Sequence, residues 1–454
     1  MNPMNRLIFR EYDIRGIAEK DLTDEVVGDI GRASATFWRK KGIQKVAVGR
    51  DNRLSSDRIW RAFSQGVLKS GLDIIDVGVV PTPLLYHAII NFACGGGVMI
   101  TGSHNPPEFN GFKVCQGYRS IHGQEIQGLA DIIEKKEFLT GQGKMEEREA
   151  INPYLADVKK RLKLKRKLKI VFDAGNGTTG LVAPRLFKEL GCEVVELYTD
   201  LDGHFPHHLP DPTIPANMAD LRAKLKETGA EVGLACDGDG DRIGAIDEKG
   251  EIIWGDKLLA LFSREILSRG PAKIIFEVKC SQALVEDIKS HGGEPIMWKT
   301  GHSLIKEKMK EEKAPLAGEM SGHMFFADNY YGYDDAIFAC ARLLQLLSGT
   351  REKLSALVAT IPSYVNTPEI RVACSDEEKF KIVEEVKKYF KSRYEIIEVD
   401  GVRILFGDGW GLVRASNTQP VIVLRFEART GARLKEIRTL VEKKLREFPS
   451  VKLP

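Results

Sequence analysis

Gly97-Val98-Met99-Ile100-Thr101-Gly102-Ser103-His104-Asn105-Pro106-Pro107 joins a short apolar run to a loop closed by two prolines. The run reads as a buried strand, and the prolines leave the loop little backbone freedom. Ser103 is therefore expected at the end of a strand with its hydroxyl exposed, as a nucleophile or a phosphate carrier. An ordinary strand-to-loop turn is the competing reading. What surrounds the loop has to decide.

Upstream, strand patterns at 45–49 and 72–77 alternate with helical patterns at 56–69 and 84–92, so the loop ends a three-layer α/β unit. Downstream, Asn110-Gly111 predicts a turn, and 112–114 a returning strand that brings Lys113 near the serine. Ile126, Leu129, Ala130 and Ile133 mark an amphipathic helix, and the polar stretch 140–149 reads as a boundary. Near the start, Tyr12-Asp13-Ile14-Arg15-Gly16 carries charges that need partners. For Arg15 these are a surface salt bridge or an anion in a cleft.

The plan recurs twice. Strands at 169–173, 193–197 and 231–236 alternate with helices at 182–190 and about 218–225, and run into Asp237-Gly238-Asp239-Gly240-Asp241-Arg242. Strands at 273–278, 295–298 and 315–317 alternate with helices at 282–291 and 303–311, and run into Gly318-Glu319-Met320-Ser321-Gly322-His323. Each unit puts its most unusual loop after the strand that follows its second helix, a repeat of about 100 residues. Open α/β sheets receive ligands at the carboxyl ends of strands, so three such loops suit one shared cleft. The last segment differs in kind. Ser375 and Glu378 predict a capping box for a helix through 390, 421–428 reads as a strand, and Leu434, Ile437, Val441 and Leu445 share a face of a final helix. Between them lies Arg414-Ala415-Ser416-Asn417-Thr418-Gln419-Pro420, the composition of a phosphate cradle or of a plain turn. The expected domains are 1–149, 150–251, 252–364 and 365–454.

Asp237, Asp239 and Asp241 are the strongest local signal. Carboxylates at alternate positions with glycines between give hard oxygen ligands on one side of a tight turn, which suits Mg²⁺. An EF-hand loop is excluded by Arg242 at the sharp-turn position and by strand-like flanks. A solvated acidic turn would leave three carboxylates repelling one another. Glu319, Ser321 and His323 present an acceptor, a hydroxyl and a ring, which suits sugar hydroxyls. His302, after Lys299-Thr300-Gly301, is a proton-transfer group or a satisfied interior histidine. His204, His207 and His208 match no zinc spacing and read as a surface loop.

Composition bounds the rest. With 454 residues, 43% hydrophobic, 29% charged and 8% aromatic, the chain is globular and of several domains. A formal charge of +3 predicts no nucleic-acid surface and leaves room for a local basic pocket. No run of apolar residues is long enough to span a membrane, and 1–9 has no secretory pattern, so a cytoplasmic protein is expected. Seven cysteines, Cys94, Cys115, Cys192, Cys236, Cys280, Cys340 and Cys374, stand singly and read as core residues.

Taken in order, TGSHNPP at 101–107, DGDGDR at 237–242, GEMSGH at 318–323 and RASNTQP at 414–420 resemble the α-D-phosphohexomutases along essentially the whole chain. YDIRG at 12–16, NGFK at 110–113 and WKTGHS at 298–303 make it most similar to the phosphomannomutase/phosphoglucomutase group. The resemblance implies three related α/β domains with mixed sheets and a smaller C-terminal α+β domain around a central cleft. It implies that Ser103 is a phosphoserine and that Asp237, Asp239 and Asp241 hold Mg²⁺ with an oxygen of that phosphate. Glu319 and Ser321 would read sugar hydroxyls, with His323 supporting the loop. Arg414, Ser416, Asn417 and Thr418 would hold the non-reacting phosphate. Tyr12, Arg15, His104, Lys113, Arg242, Lys279 and His302 would line the same site.

The activity so implied moves a phosphoryl group between the 1- and 6-positions of a hexose phosphate. It passes through a hexose 1,6-bisphosphate that turns around in the cleft and also serves as activator. Met320 and Thr101 lean toward mannose and glucose phosphates over the amino sugar of phosphoglucosamine mutase. A Mg²⁺-dependent phosphatase and a non-catalytic sugar-phosphate binder are the remaining alternatives. A monomer is expected, with a dimer as the alternative.

Overall fold

The computed structural model describes residues 4–417 and 419–453. Thr418, expected in the phosphate cradle, lies outside them. The chain forms two compact units, 1–258 with 321–358, and 259–320 with 359–454.

In the first unit, strands β1 (Ile14–Ile17), β2 (Lys45–Arg50), β3 (Asp73–Val79), β4 (Gly96–Ile100), β5 (Phe109–Gln116), β6 (Arg119–Ser120) and β7 (Met145–Glu147) make one mixed sheet. Its order is β1-β5-β4-β2-β3-β7, with β6 beside β5. β2 runs parallel to β3 and β4, while β5 is antiparallel to β4 and β1. Every residue of β4 is buried, which is why the strand before the serine loop is uniformly apolar rather than alternating.

Two local expectations fail here. Asn110 and Gly111 make no turn but lie inside β5, opposite Gly16 and Arg15 of β1. The Asn110 amide donates to the hydroxyls of Ser55 and Ser56 at 2.9 and 3.0 Å. A Cβ at Gly111 would lie 2.1 Å from the Ile14 carbonyl oxygen. The glycine thus serves a close strand approach, a use that sequence alone does not distinguish from a turn. The polar stretch 140–149 contains β7, which pairs with β3 and ends the sheet; its side chains are exposed, so no apolar pattern marks it.

The helices Asp24–Lys40 and Ser56–Lys69 cross closely beside this sheet. A Cβ at Gly66 would meet the Gly28 carbonyl oxygen at 2.2 Å, and one at Gly31 the Phe63 carbonyl oxygen at 2.3 Å. Beneath them Phe63 stacks on Phe112 with ring centres 5.3 Å apart, and Trp38 donates to the Cys115 carbonyl at 2.8 Å.

A second sheet in the same unit comprises β8 (Lys169–Asp173), β9 (Glu193–Leu197), β10 (Val232–Cys236), β11 (Ile243–Ile246) and β12 (Ile252–Ile253), ordered β12-β11-β10-β8-β9. In the second unit, β13 (Lys273–Glu277) lies between β14 (Glu294–Trp298) and β15 (Leu316–Gly318), parallel to both. The predicted repeat is real at the level of topology. In each copy the third strand, β4, β10 or β15, returns to the far side of the first, β2, β8 or β13. The three unusual loops leave these third strands.

The C-terminal part is an antiparallel sheet centred on Gly409–Ala415 and Val421–Ala428, packed by the helices Lys379–Lys391 and Gly431–Leu445. The capping box does not form. Residues 376–378 are a turn, the Lys379 ammonium pairs with Asp376 at 2.5 Å, and the helix begins only at Lys379. All seven cysteines are buried and none forms a disulfide. Among the described residues no helix is long and apolar enough to cross a membrane.

The helix crossing gives a paired prediction. Gly66→Ala forces backbone apart and should destabilise by about 1–3 kcal/mol. Gly128→Ala, in the helix Gln124–Glu134 with open space around its Cβ, should stabilise by about 0.5–1 kcal/mol. Thermal melting of the two variants beside the wild type should move in opposite directions.

Candidate active site

The serine loop is tied down from every side. Gly102 N–H donates to Asp51 Oδ2 at 3.1 Å, and Ser103 N–H to Thr101 Oγ1 at 2.8 Å. Arg53, with no exposed side-chain surface, donates to the carbonyls of Ser103, Asn105, Pro106 and Phe109 at 2.5–3.0 Å and pairs with Asp51. This scaffold holds Ser103 at φ 51°, in the left-handed region, a conformation that costs a non-glycine residue on the order of 1–2 kcal/mol. The hydroxyl is not exposed as expected: Ser103 is 2% accessible. The reason is the aspartate loop, whose Gly238 comes so near that a Cβ there would lie 2.5 Å from the Ser103 carbonyl oxygen.

That loop is a tight link between β10 and β11. Asp237 Oδ1 accepts from the N–H groups of Asp241 and Arg242 at 3.0 and 3.1 Å. Its Oδ2 accepts from Ser103 Oγ at 3.0 Å, while His104 Nδ1 stands 3.1 Å from the same hydroxyl. Asp239 Oδ2 accepts from Thr82 Oγ1 at 2.5 Å and from Lys113 Nζ at 2.6 Å, and Lys113 also pairs with Asp241 Oδ2. The three carboxylates are buried and offer oxygens within 4.8 Å of one another. Asp239 Oδ1 and Asp241 Oδ1 are buried with no hydrogen-bond partner. Two orphaned oxygens in such a group fit a hard divalent cation, and the flanking strands exclude an EF-hand.

The electrostatics follow from burial. Burial, then the Asp241 and Asp239 charges, push the Asp237 carboxyl well up. Burial also opposes ionisation of Asp241, but the neighbouring charges, Lys113 first among them, outweigh it and hold this carboxyl down. For Lys113 burial is outweighed by Asp239, Asp241 and Asp237, so its ammonium is retained. His104 is held well below the usual imidazole range by burial and by Arg242 and Arg15, and is neutral near pH 7. Arg242 forms an antiparallel bridge with His323, and its Nε donates to His323 Nε2 at 3.0 Å. Arg15, in β1, pairs with Asp13 at 2.5 Å; Tyr12 is buried just before it. The first unit thus carries Tyr12, Arg15, Ser103, His104, Lys113, Asp237, Asp239, Asp241, Arg242, Ser321 and His323.

The second unit carries Lys279, His302, Glu319, Arg414, Ser416 and Asn417. Here Glu319 Oε1 accepts from Gly301 N–H at 2.8 Å, which fixes the residue before His302. Glu277 Oε2 accepts from Thr300 Oγ1 and Lys279 N–H at 3.0 and 2.8 Å. Lys279 Nζ reaches Glu369 at 3.1 Å, and its charge holds Glu369 down to about 2. Asp400 Oδ2 accepts from Thr300 N–H at 3.1 Å and from Arg414 Nε and Nη2 at 3.0 Å. Arg403, fully buried, donates to the carbonyls of Val278 and Cys280 at 2.8 and 2.7 Å and lies over the Trp410 ring. His302 is buried at the first turn of the helix His302–Glu312. Ser416 Oγ accepts from Gln419 N–H at 3.2 Å. His204 and His208 pair with Asp202 and Asp173, and His207 stacks on Tyr198, whose ring His208 also meets edge-on; among the described residues these histidines form no group able to hold a metal ion.

Sequence reading missed Asp51, Arg53, Thr82, Glu277, Asp334, Glu369 and Asp400. For Asp51 and Arg53 a signal existed: they follow β2, the strand beside β4, so they too leave a carboxyl end of the sheet. Thr82, just after β3, and Glu277, the last residue of β13, carry the same signal, while Asp334, Glu369 and Asp400 come from positions with no local pattern.

Four successive stretches match the phosphoglucomutase/phosphomannomutase family: alpha/beta/alpha domain I over residues 6–140, domain II over 152–250, domain III over 254–364 and the C-terminal domain over 369–444. A phosphomannomutase/phosphoglucomutase of Pseudomonas putida is 46% identical over 450 residues, covering 98% of this chain and 97% of its own. A phosphoglucomutase of Neisseria gonorrhoeae is 46% identical over 443 residues, 96% of each chain. The crystal structure of a phosphoglucomutase/phosphomannomutase family protein from Burkholderia thailandensis superposes with a TM-score of 0.94 at 44% identity, covering 99% of this chain and all of the other. With four matched domains spanning most of its length, this chain belongs to the phosphoglucomutase/phosphomannomutase family of phosphohexomutases.

Proposed function

We propose that the protein interconverts the 1- and 6-phosphates of glucose and mannose through a phosphoserine at Ser103 and a hexose 1,6-bisphosphate. The observation that carries the proposal is the position of Ser103 Oγ, 3.0 Å from Asp237 Oδ2 in a group of three buried carboxylates with two orphaned oxygens. In the first half-reaction the P–O bond to Ser103 Oγ breaks and a new one forms to the free sugar hydroxyl; the sugar hydroxyl loses its proton and the departing Ser103 Oγ takes one up, so that the serine ends as a free hydroxyl. In the second, the other phosphate of the bisphosphate returns to Ser103.

Phosphoryl transfer is mainly a matter of alignment and charge. Asp237, Asp239 and Asp241, with an oxygen on Ser103, would hold Mg²⁺, which neutralises developing phosphoryl charge when bound. Lys113, Arg15 and Arg242 add fixed positive charge around the serine. His104, neutral and beside Oγ, is able to accept a proton there. Glu319, Ser321 and His323 are assigned to the sugar-reading loop, and Arg414, Ser416, Asn417 and Thr418 to the non-reacting phosphate. Tyr12, Lys279 and His302 complete the binding residues. The same reading takes a monomeric cytoplasmic enzyme as the acting species.

Incubation with glucose 1,6-bisphosphate should add one phosphoryl group at Ser103 by intact mass and site mapping. The charged protein should then convert glucose and mannose 1-phosphates to 6-phosphates. Ser103→Ala should lose turnover by at least about a thousandfold, the scale of a lost covalent route, while keeping hexose-phosphate affinity within a few-fold. Release of inorganic phosphate without isomerisation would replace the mutase with a phosphatase.

Lys113→Met removes the cation shared by Asp239 and Asp241 and should destabilise the metal-free protein by about 3–5 kcal/mol. Mg²⁺ should raise the melting temperature of this variant more than that of the wild type. Chelation should abolish turnover in the wild type, and added Mg²⁺ should restore it.

A further inference from the structure

We infer that Asp334 is a positioning residue that fixes the tautomer of His323 and, through it, the orientation of Arg242. The inference rests on the mutase reading only for its kinetic consequence. Asp334 is wholly buried and is set by an antiparallel bridge between Phe325 and Asp334, two residues from His323 in the facing strand. Its Oδ2 lies 3.4 Å from His323 Nδ1, and Asp241 Oδ1 lies 3.7 Å from the same nitrogen. On the opposite side of the ring, Arg242 Nε donates to His323 Nε2 at 3.0 Å.

The chemistry of these groups leaves one arrangement. A guanidinium Nε always carries its hydrogen, so Nε2 must present a lone pair. Nδ1 then carries the single ring proton, on the edge of the ring that has two carboxylate oxygens 3.4 and 3.7 Å away. The other neutral tautomer would set N–H against N–H at Nε2 and a lone pair against two carboxylates at Nδ1. The imidazolium would satisfy Nδ1 but still oppose the Arg242 donor. Of the two carboxylates, Asp241 is already held by Lys113 and belongs to the cation group, which leaves Asp334 as the nearer partner.

The consequence lies at Arg242. Its Nε is anchored on His323 while the same nitrogen is 4.0 Å from Asp237 Oδ2, the oxygen that receives the Ser103 hydroxyl. Anchoring Nε fixes the plane of the guanidinium, and with it the direction of the terminal N–H groups beside the transferring phosphoryl. The neighbouring Asp335 plays a different part, since it accepts from Tyr154 and Tyr330 and caps the helix Ala336–Ser348. The Asp334-Asp335 pair therefore ties the imidazole to a rigid helix start.

The test uses full-length protein labelled with ¹⁵N-histidine. Long-range ¹H–¹⁵N correlations report the tautomer of each of its nine histidines, and His323→Gln assigns the signal. The wild type should show His323 as the Nδ1–H tautomer; an Nε2–H or imidazolium pattern overturns the inference before any variant is made. Asp334→Asn and Asp334→Leu should populate the Nε2–H tautomer and lower kcat by about 10- to 100-fold, the usual effect of losing a partner that orients an imidazole. KM should move less than about threefold, because ground-state binding is not what Asp334 serves. Asp334→Glu, which keeps the charge, should retain the Nδ1–H signal. An unchanged tautomer, or a changed tautomer with unchanged kcat, sinks the inference in an active enzyme. A wild type that interconverts no hexose phosphates sinks the mutase reading instead and leaves the spectroscopic result standing.

Discussion

Three carboxylates closed into one buried loop are the constraint on which the first unit depends. Two unit charges about 4 Å apart interact with roughly 4 kcal/mol at an effective dielectric of 20, and Asp237, Asp239 and Asp241 repel in pairs. The fold answers with Lys113, which reaches two of them from β5. To deliver that ammonium, β5 must continue straight through Asn110 and Gly111, close against β1. A tight turn at that point would have set Lys113 elsewhere. The electrostatic demand of one loop and the backbone demand at Gly111 are thus two ends of one strand.

The topology explains why chemistry collects on particular loops. Because the third strand of each α/β copy returns beside the first, it closes the parallel set, and β4 and β10 each have a parallel strand on one side and an antiparallel strand on the other. A loop leaving there has neighbours on both sides. The serine loop is held by Asp51 and Arg53, just after β2, while Thr82, just after β3, reaches Asp239 of the aspartate loop by both its hydroxyl and its N–H. The left-handed backbone at Ser103 survives because so many fixed partners determine it.

Much of this was legible in advance, and the reason is physical. β4 and β10 announce themselves because burial on both faces demands unbroken apolar runs. Ser103 and the aspartates announce themselves because their chemistry needs several special residues within a few positions. What escaped has no local signature. β1 is four residues long with Arg15 in it, and β7 is exposed. Asp334, Asp400 and Glu369 are single acids whose partners lie at positions such as 323, 414 and 279. A carboxylate that orients a distant cation looks, in sequence, like any surface carboxylate. The hydroxyl of Ser103 was misjudged for a related reason, since the covering residue, Gly238, is brought by the tertiary fold.

The second unit solves a different problem with the same means. A residue meant to meet an anion is a long cation, and a long cation left alone loses much rotamer freedom when it binds. Arg414 is held by Asp400, which also receives Thr300 N–H, so the arginine and the segment before His302 share one anchor. Lys279 is held by Glu369 and Glu277, and Glu277 holds Thr300 as well. On the proposed reading, each carboxylate lowers the net charge that would meet a phosphate, which weakens long-range attraction. In exchange the donors would be set in place before such a ligand arrives, which matters more where selection depends on direction than on charge alone. That balance accounts for buried acids behind the basic side chains, where a site built for attraction alone would have none.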